Sequence, residues 1–254
     1  MKQKSEELNK LSIVIPTFDR QKYALRSMKY WSDNGVPQVH VLDGSIEPIE
    51  QKYLEDLGEN LFYYHWPMSM SQRLNNIGEY LTTPFTILMA DDEFLLPSGL
   101  EMAIKNLNSD PELVSIMGRC IGFAWENNTI YTNPYYTNQQ DRKLEQDTPK
   151  ERCLFHLSNY TPSHIYSVVR TPVWKKAWKS SFVKEFEVCG QTEIQFELSV
   201  AYLGKSKVIP NLTWLRSTET NRVDSSSDNS MNYNLPHLVV WWLDPSKQDE
   251  HDEM

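Results

Sequence analysis

The chain has 254 residues, 40% of them apolar, with a formal charge of −9 and an isoelectric point near 5.2. That length suits one large α/β domain, or a domain of roughly 210 residues with an appendage, and one domain is the simpler reading. The acidic balance leaves no basic stripe for a polyanionic backbone, which excludes nucleic acid as a partner class. A small nucleotide is not excluded, because one helix terminus or one metal ion neutralises a diphosphate locally.

The opening MKQKSEELNK carries charges where a signal peptide needs an apolar run, and no later stretch reaches the length of a membrane span. A cytoplasmic protein is expected, with peripheral membrane association left open. Cys120, Cys153 and Cys189 are odd in number and widely spaced, as reduced thiols would be. The Asn-x-Thr triplets at Asn127, Asn159 and Asn211 therefore carry little weight as glycosylation sites.

In chain order, residues 11–15 form an apolar run that Pro16 should stop. A helix follows with Leu25, Met28 and Trp31 on one face and Gly35 at its end. Residues 39–42 read as a second strand, and after the turn Asp43-Gly44-Ser45 a second helix is expected from Pro48 to Gly58. Residues 61–65 read as a third strand. Leu74, Ile77 and Leu81 give residues 71–81 a helical period, and residues 85–89 are a fourth apolar run ending in Ala90-Asp91-Asp92-Glu93. Pro97 opens a helix with Leu100, Ala103, Ile104 and Leu107 inward. This alternation predicts βαβ units on a mostly parallel sheet.

Past residue 112 the pattern shifts to short strands at residues 113–117, 121–125 and 165–169 with long loops, a mixed sheet. Residues 133–150 are polar and aperiodic and read as a mobile loop or lid. A last helix is expected over residues 193–203, with Thr192 and Gln195 as a capping box. Residues 225–230 and 248–254 read as partly disordered.

Asp91, Asp92 and Glu93 lie just past a strand's carboxyl end, the edge where open α/β sheets bind ligands. Hard divalent cations take carboxylate oxygens, and Mg²⁺ favours one or two carboxylates plus phosphate. A solvated acidic turn favouring the helix at Pro97 is the plainer alternative. Strand one ends in Pro16-Thr17-Phe18-Asp19-Arg20 and strand two in Asp43-Gly44-Ser45, so three strand ends put polar or acidic groups on one edge. Asp19 could instead cap a helix, and Asp43-Gly44 could simply turn the chain.

The runs Ser12-Ile-Val-Ile-Pro-Thr-Phe-Asp-Arg20, Leu42-Asp-Gly-Ser45 and Phe85-Thr-Ile-Leu-Met-Ala-Asp-Asp-Glu-Phe-Leu-Leu-Pro97 resemble the family-2-like GT-A glycosyltransferases. Within these, the sequence is most similar to a bacterial subgroup whose acidic turn reads Ala-Asp-Asp-Asp-Phe. Met117-Gly-Arg-Cys-Ile-Gly-Phe123, residues 159–171 and Leu215-Arg216 continue the resemblance, which covers about residues 11–217. The layout it implies is a tail at 1–10 and one GT-A domain at 11–217, with a nucleotide-sugar half (11–110) and an acceptor half (111–217). An extension, partly disordered, fills 218–254.

The resemblance implies an α/β, GT-A fold and transfer of a sugar from a nucleotide diphosphate sugar, a uridine nucleotide by preference. The acceptor is a glycan or other hydroxyl, in polysaccharide synthesis, with inversion at the anomeric carbon. It implies Pro16, Thr17 and Asp19 against the nucleotide, Asp43 on the base, and Asp91 with Glu93 on a divalent metal, Mn²⁺ or Mg²⁺, with Asp92 beside the donor or as substitute ligand. Arg73 reaches the donor or is an ordinary surface arginine. Met89 stands where many relatives carry the first acid, and Glu93 where the subgroup has Asp, which leaves the ligand pair open.

An inverting transferase needs a base for the acceptor proton. The resemblance implies an acid at the start of a helix after the acceptor-side strands, which points to Glu193, with Glu187 and Glu197 as fallbacks. His164, in an apolar stretch, gets no role. Trp125, Tyr131, Tyr135, Tyr136, Trp174 and Trp178 could stack on sugars or simply anchor core and loops. A nucleotidyltransferase would want a Gly-rich basic loop after strand one, which Pro16-Thr17-Phe18-Asp19-Arg20 is not. A non-catalytic sugar- or nucleotide-binding module stays open because of Met89.

Overall fold

A computed structural model describes residues 5–34, 37–181, 189–218 and 241–253. Gly35, Glu187 and residues 225–230 lie outside them. Strands β1 (Leu11–Thr17), β2 (Gln38–Asp43), β3 (Leu61–His65) and β4 (Phe85–Leu88) run parallel in the order β3-β2-β1-β4. Both faces of this sheet are covered, so its central strands read as continuous apolar runs.

On one face, α1 (Gln21–Asn34) brings Ala24, Met28 and Trp31, and α3 (Pro97–Ser109) brings Leu100, Ala103, Ile104 and Leu107, into one core. On the other, α2 (Met70–Asn76), α5 (Thr171–Ser181) and α6 (Cys189–Leu203) pack Leu74, Trp174, Trp178 and Phe196 against Val14, Leu42 and Leu88. Truncating either buried tryptophan to Ala would cost about 3–5 kcal/mol. These two are core side chains, which removes them from the sugar-stacking candidates.

The second half continues the same sheet. β5 (Phe94–Leu95), β6 (Leu113–Glu126), β7 (Thr129–Tyr135), β8 (Lys143–Leu144), β9 (Val168–Arg170) and β10 (Lys205–Ser217) extend it to β3-β2-β1-β4-β9-β6-β10-β5. β7 pairs with β6 and β8 with β10 off that path. α4 (Pro149–Ser158) packs on α6, and α7 (Gln248–Glu253) forms where disorder was expected.

Several expected boundaries move, each for a physical reason. β1 runs through Pro16 rather than stopping at it. Val14 accepts from Met89 N–H on the β4 side and Thr17 accepts from Gly44 N–H on the β2 side. Pro16 thus faces the β4 side, where the ladder has already ended at Val14–Leu88, and its missing donor costs nothing there. The helix expected from Pro48 to Gly58 is reduced to one 3₁₀ turn, Gln51–Tyr53.

The strands expected at 113–117 and 121–125 are one continuous β6. The strand expected at 165–169 starts only at Val168, after a 3₁₀ turn His164–Tyr166. Residues 133–150, read as a lid, hold the end of β7, a 3₁₀ turn and β8, with Gln139, Arg142 and Leu144 buried. Thr148 and Glu151 form the capping box that opens α4. The capping box expected at Thr192 is not one, because Cys189 to Gln191 before it are already helical.

Candidate active site

The carboxyl ends of β1, β2 and β4 meet as anticipated, and side chains join them. Thr17 Oγ1 donates to Asp91 Oδ2 at 2.7 Å. Arg73, placed by the capping box of Ser69 and Gln72 on α2, is buried rather than a surface residue. Its Nη1 donates to Thr17 O at 2.7 Å and, closer still, to Leu42 O, so one guanidinium ties β1 to β2. Desolvation lowers its pKa to about 10. Gly44 makes room for it: a Cβ there would lie 2.6 Å from Arg73 Cζ. Close approach of the Arg73 guanidinium accounts for that glycine.

Asp43 is fully buried at the end of β2. Its Oδ1 accepts from Ser45 N–H at 2.9 Å and Ser45 Oγ at 2.5 Å, and its Oδ2 from Tyr63 at 2.7 Å and Gln21 Nε2 at 3.1 Å. Asp19 is exposed in a left-handed conformation at φ 52°, with its N–H on Ser45 Oγ at 2.9 Å. Asp tolerates that backbone better than most residues. The first helical bonds of α1 go to Arg20 O, so Asp19 stands ahead of the cap.

The acidic turn is held by α1. Ser27 Oγ donates to Asp91 O at 2.8 Å and Arg26 Nη2 to Asp92 O at 2.7 Å. Arg20 Nη2 lies 3.2 Å from Asp91 Oδ1 and 2.5 Å from Asp92 Oδ2, one cation across two buried carboxylates. Desolvation still raises the Asp91 pKa to about 6, against the lowering effect of Thr17 and Arg20.

Glu93 turns to other partners. Trp214 Nε1 donates to its Oε2 at 2.5 Å, and Arg216 Nε lies 4.0 Å from Oε1. Burial raises its pKa to about 8. Tyr136 and Tyr166 flank the Trp214 indole at 5.5 and 4.5 Å. Met89 lies in the core. Among the described residues, no three His, Cys, Asp or Glu side chains converge as a ready-made metal cage. The cage need not be all protein, since Mg²⁺ sites draw on one or two carboxylates plus phosphate.

Glu193 is half-buried on α6, and its charge, after burial and Glu197, raises the Tyr160 pKa. Glu197 is committed to structure. Oε1 accepts from Ile165 N–H at 2.9 Å and Oε2 lies 2.9 Å from His156 Nε2, both residues buried. Arg142 Nη2 reaches His156 Nδ1 at 3.0 Å and Nη1 reaches His164 Nε2 at 3.1 Å. Arginine only donates, so both of these histidine nitrogens accept; His156 Nε2 and Glu197 Oε2, although 2.9 Å apart, are not aligned as a hydrogen bond. Burial lowers the His164 pKa well below its ordinary value, which keeps that ring neutral.

Arg20, Arg26, Ser27, Gln21, Tyr63 and Trp214 escaped the sequence reading. The spacing of Arg20, Ser27 and Trp31, in and just before α1, was the available signal for Arg20 and Ser27, and it does not include Arg26. Nothing local pointed to Trp214.

No protein-family model matches this sequence, and a search of curated proteins finds no match. Solved structures do match. S. aureus TarS 1–349 in complex with UDP-GlcNAc is 18% identical, with a TM-score of 0.60 over 84% of this chain and 60% of that one. The same segment in complex with UDP gives 17% identity and a TM-score of 0.57 over 82% and 60%. TarS itself gives 17% and 0.57 over 82% of this chain and 37% of that one. This chain thus spans about 60% or less of the length of these TarS structures. The likeness establishes the fold: the expected α/β, GT-A architecture is the one observed.

Proposed function

We propose that this chain binds a uridine diphosphate sugar at the carboxyl edge of β1, β2 and β4 and transfers the sugar to an acceptor hydroxyl. The observation that carries this is the meeting of Thr17, Asp43 and the Asp91–Asp92 pair on adjacent ends of parallel strands, the ligand edge of open α/β sheets. That TarS was crystallised with UDP-GlcNAc and with UDP supports the choice of donor. Pro16, Thr17 and Asp19 would border the nucleotide, and Arg73 would hold the two strand ends beneath it.

The residues fit a divalent metal. Asp91 and Asp92 are hard oxygen donors, buried, and already sharing a cation in Arg20. Glu93 would join Asp91 only by leaving Trp214. When bound, Mn²⁺ or Mg²⁺ would offset the charge of the departing diphosphate. The acceptor oxygen bonds to the anomeric carbon on the face opposite the leaving group, the bond from that carbon to the diphosphate oxygen breaks with its electrons going to UDP, and Glu193 takes the acceptor proton. Direct contact between the base and Asp43 requires the Gln21 amide to swing off Oδ2.

Calorimetric titration of UDP, GDP and ADP with and without Mn²⁺, together with UDP release from a panel of UDP-sugars, tests this. Mn²⁺-dependent UDP binding with turnover is expected. Tighter binding of a purine nucleotide would overturn the base assignment. UDP binding without turnover on any sugar would make the chain a binding module.

A further inference from the structure

The hairpin of β6 and β7 extends beyond the rest of the sheet. Among the described residues β7 pairs only with β6, and nearly all of it is exposed. A two-stranded ribbon of this kind has no core in which to bury aromatic side chains. Trp125, Ile130 and Tyr131 are nevertheless each more than half exposed. Register separates them into two groups. Trp125 and Ile130 are direct cross-strand partners on one face.

Tyr131 stands on the other face, opposite Ala124, which is too small to cover its ring. The next pair inward is Gly122 with Asn133, and a Cβ at Gly122 would lie 2.8 Å from both Asn133 Oδ1 and Tyr135 Cδ2. A glycine inside a strand marks such a close approach. This face continues inward, because Gly122 pairs with Arg216, and Cys120 with both Tyr135 and Trp214. The Arg216 guanidinium lies 5.2 Å from the Tyr135 ring centre. The face ends at Glu93, held by Trp214.

We infer that this face is a carbohydrate-binding track for two or more sugar residues of an acceptor. Tyr131 stacks on a sugar ring at its outer end, Asn133 bonds hydroxyls in the middle, and Arg216 closes its inner end at the acidic turn. From Tyr135 to Tyr131 the strand covers about 13 Å, more than one pyranose ring. An aromatic ring with a polar tip, beside an amide and small neighbours, suits the apolar face and hydroxyl rim of a sugar. A peptide adding to the open edge of β7 fits less well, because Pro134 interrupts that edge. The direction of the track rests on the transferase reading; the binding site itself does not.

The test is an array of immobilised oligosaccharides of two to six residues, probed with wild type, Tyr131→Ala, Asn133→Ala and Trp125→Ala, with UDP titrated calorimetrically into the same preparations. Wild type should retain at least one oligosaccharide class, and Tyr131→Ala should weaken it roughly tenfold, the scale of one lost aromatic contact. Asn133→Ala should weaken it less, and Trp125→Ala, altered on the opposite face, should bind as wild type does. The track is overturned if wild type binds no oligosaccharide, if Tyr131→Ala binds equally well, or if Trp125→Ala loses as much. Absent UDP binding would count against the donor reading alone, because the glycan arm needs no nucleotide.

Discussion

Two clusters of buried polar side chains stand in this molecule, each organised by arginine and each rich in the residue types that do chemistry. One gathers Thr17, Asp43, Arg73, Asp91, Asp92 and Arg20 at the carboxyl ends of β1, β2 and β4. The other joins Arg142, Gln139, His156, His164 and Glu197 beneath α4 and α6. Composition alone would favour the second, with its two histidines and a carboxylate. Position and bonding favour the first. In the second cluster Glu197 Oε1 holds Ile165 N–H, its Oε2 lies against the His156 ring, and His164 is held neutral. In the first, Asp91 remains raised in pKa even with Thr17 and Arg20 beside it, so a further positive charge would be welcome there.

The largest expected effect separates the clusters directly. Asp91→Ala should cost at least about 100-fold in turnover, since losing a ligand outweighs the 10–100-fold of losing its supporting partner. The fold should survive, because Arg20 keeps Asp92. Unchanged Mn²⁺-dependent UDP affinity in Asp91→Ala would remove the metal assignment. Glu193→Gln comes next, lowering transfer roughly 10²-fold with donor affinity unchanged. Full turnover in that variant would hand the role to Glu187, since Glu197 is committed to His156 and Ile165.

In the enclosed cluster the effect should be on stability. Glu197→Ala strips the acceptor from Ile165 N–H, removes the carboxylate beside His156 and leaves Arg142 without its nearby anion, a loss of about 3 kcal/mol on the scale of broken buried pairs. Urea unfolding would measure it through the midpoint. A fall in UDP affinity as large as the fall in stability would break the distinction between the clusters.

That distinction also explains what could be read in the sequence. β1 to β4 are short, locally coded apolar runs, so their ends, and with them Thr17, Asp43 and Asp91, were visible from order alone. β10 was not recognised as a strand. Register shifts between Lys205 and Ser206, and across Val208, Leu212 and Trp214, break its period of two, and its pairing lies some ninety residues back in β6. With β10 went Trp214, hence the real surroundings of Glu93. Trp174, Ala177 and Trp178 carry the helical spacing of α5, and Thr148 with Glu151 the capping signature of α4, yet polar composition and aromatic content pointed elsewhere. The carbonyls that Arg73 joins exist only once β1 and β2 are paired.

His40 gives the finest test, since it lies on β2, three residues before Asp43, yet inside the enclosed sheet. It stacks on Phe62 at 5.0 Å, its Nδ1 meets Tyr64 at 3.2 Å, and its buried Nε2 has no hydrogen-bond partner among the described residues. Burial lowers its pKa to about 4. Between that value and the ordinary 6.5 the unfolded chain binds the extra proton and the folded chain does not. Stability therefore rises with pH across this window, and is lost as pH falls from about 6.5 toward 4. The slope is at most about 1.4 kcal/mol per pH unit, or no more than about 2 kcal/mol by pH 5. His40→Phe keeps a stacked ring and removes the titration, so its stability relative to wild type should climb as the buffer goes from pH 7 to 5. UDP affinity at pH 7 should stay the same in both proteins. Parallel stability curves would mean that His40 takes up its proton in the folded state, while a drop in UDP affinity would show that the middle of β2, and not only its end, belongs to the donor site.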